Sequence, residues 1–468
     1  MAGRTIFTLD QAVDAIDGAI PDGGFGGDVI NVQHVAVDSR ASRAGSLFVA
    51  LPGEHTDGHR FVVDAAQRGA VAAVVSRAIE DPGIPTIRVE DSLSALQALA
   101  AWYARERLAD VFRVGITGSN GKTTTKELVA AAIRSSAECF ASEGNLNSET
   151  GLPLSIFATP PEVSYAVYEM AMSAPGEMEA LAEIVRPRIA CITNIGSAHI
   201  EFLGSRRAIA LEKRGIASCF TGSETLIIPE DDEFTGLLAE GVAGTVRYHG
   251  PGVLGLSIDA SRERGAVWIE DDGYPAVRVP LPGYHNGRNA LVALAVAREL
   301  GFDEGRARAA LAEVSLPEGR SDLYVDQADN VVLNDSYNAN PESMEAFIRS
   351  AGALRNDVRQ RLVLVLGDMM ELGDYSAEGH RRVLGAACGA APDLLVLVGR
   401  LFADVYRDHF AALCAGVPVE RVSSAEEARD RLLQLDLRGH VIALKGSRTI
   451  ALEEVLSLFE RREVAHRV

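Results

Sequence analysis

The chain has 468 residues, enough for about three domains, and its 47% hydrophobic content is ordinary for a globular protein with full cores. Its net charge of −20 at pH 7 argues against a general nucleic-acid partner, because such binding needs a basic surface. No apolar run reaches the ~18 residues of a membrane span, and the N-terminus lacks the apolar region of a signal peptide.

The cysteines are widely scattered, with no C-x-x-C pair. This spacing argues against a disulfide framework and against a zinc site. We therefore expect reduced thiols and a cytoplasmic location. The cysteines are Cys139, Cys191, Cys219, Cys388 and Cys414.

The predicted elements alternate strand and helix along the chain, which indicates an α/β fold with parallel sheets. A helical pattern over 92–108 separates the strands of the first region from those of the second. Strand-like pieces at 253–258 and 266–269 indicate an antiparallel section, and a helix is predicted over 289–300. The other predicted strands are 35–37, 46–51, 70–75, 86–89, 111–116, 165–170, 188–193, 225–228, 331–334, 362–366, 394–398 and 441–444.

Three domains account for this order. We expect an N-terminal domain at 1–90, and a central P-loop-type domain with a parallel sheet at 91–316, of which 91–110 is a linking helix. A C-terminal Rossmann-like domain follows at 317–468, where three of the four strands end in a glycine-containing turn. In such doubly wound domains the ligand lies at the carboxyl ends of the strands.

The run V-G-I-T-G-S-N-G-K-T-T-T, from Val114 to Thr125, joins an apolar strand to a helical pattern through a glycine turn. Backbone N–H groups and a helix N-terminus at such a turn hold polyphosphate, a lysine reaches the outer phosphates, and a hydroxyl can hold Mg²⁺. The run departs from G-x-x-x-x-G-K-[ST] at Ile116, and a turn followed by an exposed lysine is the alternative. The predicted nucleotide-binding residues are Thr117, Gly118, Ser119, Asn120, Gly121, Lys122, Thr123 and Thr124.

Three further residues follow strands or lie near them. Glu169 ends a strand in the same domain and can complete a Mg²⁺ site; the alternative is an edge carboxylate in solvent. His199 follows a strand that we expect to neighbour the strand of Glu169, and it is either a ligand or a structural histidine. Lys213, beside Glu212 and Arg214, is by its chemistry alone a solvated lysine.

Polar residues also gather after the central helical region. His285, Asn286 and Asn289 can hydrogen-bond a base edge, although Asn286 also suits a helix cap. Arg320, near a domain junction, suits a contact to a γ-phosphate or lies at the surface. Asp335 could hold a ribose hydroxyl.

Two later clusters lie at strand ends. Asn340 fits a helix cap before Pro341. Lys445, Ser447 and Arg448 concentrate charge and donors that could receive a carboxylate.

These segments, in this order, resemble the Mur ligase family of peptidoglycan synthesis. The matching runs include G-S-L-F-V-A-L-P-G-E-H-T-D-G-H, T-G-S-N-G-K-T, G-N-L-N-S-E-T-G-L-P, T-N-I-G-S-A-H-I-E, P-G-Y-H-N, D-S-Y-N-A-N-P-E-S-M and L-G-D-M-M-E-L-G. The loop also fits folylpolyglutamate synthetases, whereas D-S-Y-N-A-N-P and L-G-D-M-M-E-L-G are selective for the branch that adds D-alanyl-D-alanine. The chain departs from the family at Ala171 and Ala174, where a glycine and a histidine are usual, and in the residues around Lys213.

The resemblance implies an enzyme that uses ATP and two Mg²⁺ to join D-alanyl-D-alanine to UDP-N-acetylmuramoyl-tripeptide through an acyl phosphate. Thr123 and Glu169 would hold one Mg²⁺, and His199 and a carbamylated Lys213 the second. Lys122 and Arg320 would contact the phosphates. The implied substrate-binding residues are Ser39 and Arg40 near the UDP end, with Asn145, Asn147, Thr150, Asn338, Asn340, Lys445, Ser447 and Arg448.

Two other functions stay open at this point. A folylpolyglutamate synthetase would share the loop but lack D-S-Y-N-A-N-P, and a nucleotide-gated binding protein would keep the fold without the chemistry. Lysine and meso-diaminopimelate are both compatible as the third peptide residue, as are D-Ala-D-Ala and D-Ala-D-lactate as acceptors. We expect a monomer.

Overall fold

The computed structural model describes residues 4–18, 29–53, 56–271, 273–355, 360–407, 414 and 416–462. Within these residues the chain forms successive α/β units, which confirms the predicted fold class. No helix in this part of the chain combines the length and apolar character required to cross a bilayer.

The N-terminal unit contains a short antiparallel pair and a parallel sheet. The pair is β1 (Phe7–Thr8) with β2 (Asn31–Val32). The sheet has the spatial order β3-β4-β5-β6, with the strands His34–Ala36, Ser46–Val49, Ala70–Val75 and Thr86–Arg88. Its helices are α1 (Leu9–Ala15), α2 (Val62–Gln67) and α3 (Ser92–Glu106).

The central unit is built on a sheet of six described strands that are all parallel. In chain order they are β7 (Phe112–Thr117), β8 (Cys139–Ala141), β9 (Tyr165–Glu169), β10 (Ile189–Ile192), β11 (Thr225–Pro229) and β12 (Thr245–His249). Their spatial order is β12-β11-β10-β7-β9-β8. The helices are α4 (Lys122–Arg134), α5 (Gly151–Ala158), α6 (Glu177–Val185), α7 (Ile200–Leu203), α8 (Arg206–Arg214), α9 (Thr235–Ala239), α10 (Pro251–Leu254), α11 (Tyr284–Glu299) and α12 (Glu304–Leu311).

Alternate residues of the central strands enter two different cores, as the pleat requires. Val114 and Ile116 of β7 pack with α4 and α11 on one face. Ala166 and Tyr168 of β9 belong to the core on the other face, which continues into the N-terminal unit and includes Tyr103 of α3. The two units therefore share one hydrophobic core.

A three-stranded antiparallel sheet follows the central sheet, with β13 (Ser257–Asp259), β14 (Val267–Glu270) and β15 (Val277–Val279). The prediction of a strand over 253–258 is wrong at its start, because helix α10 ends only at Leu254. Pro251 at the first helical turn favours that helix, and the carboxylate of Glu230 accepts hydrogen bonds from the backbone N–H groups of Gly252 and Val253.

The C-terminal unit is a sheet with the spatial order β16-β17-β21-β18-β19-β20, in which only β16 is antiparallel to its neighbour among the described strands. The strands are Asp322–Val325, Val331–Asn334, Leu362–Gly367, Leu394–Val398, Val419–Val422 and Val441–Lys445, numbered β16 to β21 in chain order. The helices are α13 (Pro341–Ala353), α14 (Ser376–Gly389), α15 (Arg400–Val405) and α16 (Ala425–Leu433). Buried apolar residues cover both faces of the sheet.

Two cysteines of this unit correct the expectation that all thiols are reduced. Cys388, near the end of α14, is bonded to Cys414, and their Cα atoms lie 5.4 Å apart. The fold brings together two cysteines that are 26 residues apart in sequence, which local spacing does not reveal. Cys139, Cys191 and Cys219 are free.

Candidate active site

The phosphate loop lies where the strand order of the central sheet reverses. Strand β7 pairs with β9 on one side and with β10 on the other, so the loop after β7 opens into a crevice between the two ends. Ligands of open parallel sheets bind at such switch points. Glu169 ends β9, and His199 follows β10, so these residues lie on opposite sides of β7. The expectation that their strands are direct neighbours is therefore wrong.

The glycines of the loop meet two steric demands. Gly118 has φ +148° and Gly121 has φ +76°, a region that residues with a Cβ rarely adopt. A Cβ at Gly118 would collide with Thr193 Oγ1, and one at Gly121 would lie 2.5 Å from Asn289 Oδ1. The loop can thus pass between β10 and α11 only without side chains at these positions.

Hydrogen bonds from the segment after β10 fix the conformation of the loop. Ser119 N donates to Asn194 O at 3.0 Å, and Asn120 N donates to Asn194 Oδ1 at 3.0 Å. Gly196 N donates to Ser119 Oγ, and Thr193 Oγ1 donates to Asn120 O. The run T-N-I-G therefore supports the phosphate loop, a role that sequence reasoning did not assign to Asn194.

Lys122 begins α4, and its Nζ donates to the carbonyl of Gly118 at 2.9 Å across the loop. Burial lowers its pKa. Glu169 and Glu371 oppose this effect by their negative charge, whereas Arg320 adds to it. Lys122 is therefore central to a group of charges that come from both the central and the C-terminal units.

The hydroxyl side chains of Thr117, Thr123 and Thr124 are buried beside the loop. Thr123 is in the first turn of α4, next to Lys122. The predicted hydroxyl and ammonium groups therefore occur together at one helix N-terminus.

Glu169 is buried, and its two carboxylate oxygens differ. Oε1 accepts a hydrogen bond from Asn147 Nδ2 at 2.7 Å, whereas Oε2 is enclosed without a partner. The backbone N–H of Glu169 donates to Ser142 Oγ at 3.1 Å, which fixes the strand end. An orphaned, buried carboxylate oxygen beside a phosphate loop fits Mg²⁺, which prefers oxygen ligands. Asn147, predicted as a substrate contact, is a hydrogen-bond partner of this carboxylate in the structure.

His199 has a left-handed backbone, with φ +64°, at the start of α7. Its Nδ1 lies 2.7 Å from Glu371 Oε2 of the C-terminal unit. No group of three or more His, Cys, Asp or Glu side chains in the described part of the chain could by itself hold a metal ion. A cation here would therefore depend on ligands such as phosphate oxygens and water to complete its coordination.

Lys213 is fully buried in α8, so the expectation of a solvated lysine from chemistry alone is wrong. Among the described residues, none accepts a hydrogen bond from its ammonium. Burial, together with the positive charge of Lys122, lowers the pKa of Lys213 well below its usual value. A buried amine with a lowered pKa spends more of its time neutral, the form that reacts with CO₂.

The start of α11 carries three predicted residues, of which Asn289 lies against Gly121 of the loop. Asn289 donates from Nδ2 to Asn286 Oδ1 at 3.2 Å, and Asn286 donates to Pro282 O at 2.8 Å. Burial lowers the pKa of His285 to about 4. His285 and Arg349 also line a cavity of about 380 Å³ between the central and C-terminal units. A neutral imidazole next to a cavity of this size suits an uncharged, planar base.

Asp335 follows β17 and is paired with a buried cation. Its Oδ2 lies 2.5 Å from Lys445 Nζ, and its Oδ1 accepts a hydrogen bond from Ser321 N at 3.0 Å. Although burial alone would raise the pKa of Asp335, Lys445 holds it below its usual value. Lys445 also donates to the carbonyl of Asn338. The ammonium of Lys445, which was predicted to bind substrate, thus already has partners within the C-terminal unit.

Arg320 stacks on an aromatic ring that sequence reasoning passed over. Its guanidinium carbon lies 3.6 Å from the centroid of Tyr337, within the D-S-Y-N run. The stacking orients the guanidinium and keeps its N–H donors available. An aromatic residue two positions after Asp335 is the signal that could have identified it.

The remaining predicted substrate residues are spread over the molecule. Asn340 caps α13, as predicted, and also donates from Nδ2 to Asn120 Oδ1 at 2.6 Å. Ser447 Oγ accepts a hydrogen bond from Met370 N, and Arg448 is paired with Glu453.

The others lie in or next to the N-terminal half. Ser39 is buried, and exposed Arg40 forms an ion pair with Asp38, in the N-terminal unit. Asn145 and Thr150 lie in the loop between β8 and α5. Among the described residues, no hydrogen bond or ion pair joins Ser39 or Arg40 to the phosphate loop.

Comparison with known proteins gives consistent matches along the chain. The Mur ligase middle domain matches 116–297, the glutamate ligase domain of Mur ligases matches 319–448, and the Mur ligase family catalytic domain matches 31–104. The UDP-N-acetylmuramoyl-tripeptide–D-alanyl-D-alanine ligase of Treponema pallidum is 37% identical, covering 91% of this chain and 94% of that protein. The Bacillus subtilis enzyme of the same name is 33% identical, with 91% and 92% covered.

Comparison with solved structures leads to the same family. MurF from Acinetobacter baumannii superposes with a TM-score of 0.85 at 30% identity, covering 96% of this chain and 98% of that one. MurF ligase from Thermotoga maritima in complex with ADP gives a TM-score of 0.76 at 28% identity, with 91% and 96% covered. The chain therefore belongs to the Mur ligase family, within its group of UDP-N-acetylmuramoyl-tripeptide–D-alanyl-D-alanine ligases.

Proposed function

We propose that this enzyme, an ATP-dependent amide ligase, joins D-alanyl-D-alanine to UDP-N-acetylmuramoyl-tripeptide in the cytoplasmic synthesis of peptidoglycan precursor. One observation supports it above the others. The phosphate loop, with Lys122, lies beside a strand-end carboxylate with a free oxygen, Glu169, and is hydrogen-bonded to the C-terminal residue Asn340. Relatives that match nearly the whole chain are named as ligases of this activity.

The reaction needs an activated carboxyl group, because a carboxylate is a poor electrophile. A carboxylate oxygen of the tripeptide attacks the γ-phosphorus of ATP, the bond from that phosphorus to the β–γ bridging oxygen breaks, and ADP leaves. The amine of D-alanyl-D-alanine then attacks the acyl phosphate carbon. Phosphate leaves with the C–O bond electrons, and the amine nitrogen loses a proton.

Each step concentrates negative charge, so the cationic residues carry most of the stabilisation. Lys122 would move from the Gly118 carbonyl to the β and γ phosphates. Arg320, held by Tyr337, would face the γ-phosphate. The backbone N–H groups of Gly121 and Lys122, at the start of α4, would hold the phosphate chain.

Mg²⁺ would be held in two places, by Thr123 and Glu169 and by His199 and carbamylated Lys213. When bound, it neutralises phosphate charge and orients the transferred group. The orphaned oxygen of Glu169 supports the first place. The lowered pKa of buried Lys213 supports the carbamate, because the carbamate supplies an anionic oxygen where the bare amine supplies none.

The remaining binding residues are assigned domain by domain. The N-terminal domain, 1–90, would bind the UDP end through Ser39 and Arg40. His285, Asn286 and Asn289 of the 91–316 domain would contact the base, and Asp335 of the 317–468 domain would contact the ribose on closing. Domain 317–468 would add Asn338, Asn340, Lys445, Ser447 and Arg448 on closing, and the loop after β8 would add Asn145, Asn147 and Thr150.

A coupled phosphate-release assay tests the proposal. Purified protein is given ATP, Mg²⁺ and UDP-N-acetylmuramoyl-tripeptide carrying either lysine or meso-diaminopimelate, with and without D-alanyl-D-alanine. Sustained phosphate release that requires both the tripeptide and the dipeptide is expected. Release with folate and glutamate instead, or none that depends on the acceptor, would overturn the assignment.

A further inference from the structure

The segment L-G-D-M-M-E-L-G, Leu366–Gly373, has no part in the proposed chemistry, although most of its residues make structural contacts. Both carboxylate oxygens of Asp368 accept hydrogen bonds from the first turn of α15, at Leu401 N and Phe402 N. Met369 N donates to His380 Nε2, and Met370 N donates to Ser447 Oγ. These contacts all stay within the C-terminal unit.

Glu371 differs, because its side chain crosses to the central unit. Its Oε2 lies 2.7 Å from His199 Nδ1. The atoms are close enough for a hydrogen bond, but their mutual angle is not yet that of one.

The backbone on both sides keeps this pair together. His199 and Glu371 both have left-handed conformations, with φ +64° and +60°, which are unfavourable for residues other than glycine. Glu201 N donates to Glu371 O at 3.3 Å, and a Cβ at Gly373 would lie 3.2 Å from Glu201 side-chain atoms. Two strained residues that face each other across a domain boundary point to a functional constraint rather than to a loose surface contact.

The pair also lies close to the phosphate loop. The pKa of Glu371 is lowered mainly by His199 and to a smaller extent by the positive charge of Lys122, and the negative charge of Glu371 partly opposes the lowering of the Lys122 pKa by burial. The carboxylate of Glu371 therefore arrives at the nucleotide site only when the C-terminal unit is docked on the central unit.

We propose that Glu371 is a positioning residue that accepts the Nδ1–H of His199, so that Nε2 is left as the basic nitrogen for a metal cation when the domains close. The inference rests on the proposed function in assigning His199 to a cation. Imidazole ligands generally donate their second N–H to a carboxylate, which fixes the tautomer and the ring orientation. In this enzyme the ligand and its orienting carboxylate come from different domains, so domain closure and cation capture are coupled.

The tautomer of His199 is the first test. The full chain is labelled with ¹⁵N-histidine and studied with a non-hydrolysable ATP analogue but without metal, and the signal is assigned by its loss in His199→Gln. Wild type is expected to show the Nδ1–H tautomer, and Glu371→Ala a shift toward the Nε2–H form. Glu371→Gln, whose amide oxygen still accepts, should keep the wild-type signal. An unchanged tautomer in Glu371→Ala overturns the inference.

Cation affinity is the second test, with Mn²⁺ binding followed by electron paramagnetic resonance in the presence of the same analogue. Glu371→Ala is expected to weaken one Mn²⁺ by about 10–100-fold, the effect usual for losing a partner of a metal-bound histidine. Glu378→Ala is the matched control, because this exposed carboxylate in the first turn of α14 lies on the same unit. Equal weakening in the control would mean a general effect and would overturn the proposal.

His199→Ala distinguishes a failure of the proposed metal role of His199 from a failure of the positioning role of Glu371. If this variant binds both Mn²⁺ ions as wild type does, the proposed role of His199 in the function fails. If it loses one ion while Glu371→Ala loses none, the function stands and the positioning role of Glu371 fails. Thermal unfolding of every variant confirms that the comparison is made between folded proteins.

Discussion

Asn340 donates from Nδ2 to Asn120 Oδ1 at 2.6 Å, which joins the cap of α13 directly to the tip of the phosphate loop. Nearby, Ser197 donates from both its backbone N–H and its hydroxyl to Glu342 Oε2. The first turn of α13 thus contacts both loops that form the crevice. Residues of the D-S-Y-N-A-N-P-E-S-M run therefore connect domain closure to the nucleotide site.

Replacement of Asn340 by aspartate separates its two roles. Aspartate can still cap α13 by accepting from Ser343 N, but it cannot donate to Asn120. We expect kcat/KM for ATP to fall by about tenfold, equivalent to one hydrogen bond of about 1.4 kcal/mol, with little change in Tm. Asn340→Ala should lower both quantities. A normal kcat/KM in Asn340→Asp would mean that the contact with Asn120 does not contribute to catalysis.

Removal of the Lys122 ammonium should affect the chemical step most. Lys122→Ala is expected to lower kcat by roughly 10²–10³, by analogy with the loss of one group that stabilises an oxyanion. Within the described part of the chain its ammonium hydrogen-bonds only the nearby Gly118 carbonyl, so the fold should persist, as circular dichroism would check. Near-normal turnover in the folded variant contradicts the role.

Lys213 offers a test of the carbamate by chemical rescue. Lys213→Ala should be inactive or nearly so, and short carboxylic acids should restore part of the activity by supplying the missing carboxylate in the vacated space. Added bicarbonate should change nothing in wild type. Lys122→Ala is the matched control, because an acid cannot replace an ammonium group. Full activity of Lys213→Ala without additives would rule out the carbamate.

Much of the nucleotide site could be predicted from sequence because its parts are local. The strand, glycine turn and helix around Lys122 occur where the run indicates, and Glu169 ends its strand as predicted. The steric reason for Gly121, by contrast, lies in Asn289, more than 160 residues away. The functional glycine could be identified from the sequence, but the contact that requires a glycine there could not.

The residues that sequence reasoning missed depend on how units dock. Glu371 contacts His199 across two domains. Tyr337 stacks on Arg320 through a contact between loops of different strands. Periodicity reports which face of an element is buried, but not which loop of another domain lies against it. The burial of Lys213 was missed too, because its polar neighbours in sequence indicate an exposed position.

The histidine at the end of β12 should make stability depend on pH. Burial lowers the pKa of His249 to about 4, and Arg288 adds a smaller lowering. The Ile192 carbonyl, 3.0 Å from Nε2, and Asp231 partly oppose this shift. In the unfolded chain its pKa is about 6.5. As pH falls from about 6.5 to 4, the unfolded state binds a proton that the folded state does not, so the free energy of unfolding decreases across this window.

The expected loss from this group is about 3 kcal/mol, at about 1.36 kcal/mol for each pKa unit. His249→Gln keeps a donor for the Ile192 carbonyl and removes the titration, so its stability should fall less between pH 7 and pH 4. Urea unfolding of both proteins at the two pH values measures the difference. Other titrating groups, including His285, occur in both proteins and cancel. An equal loss in the two proteins would mean that His249 is protonated in the folded state near its ordinary pKa.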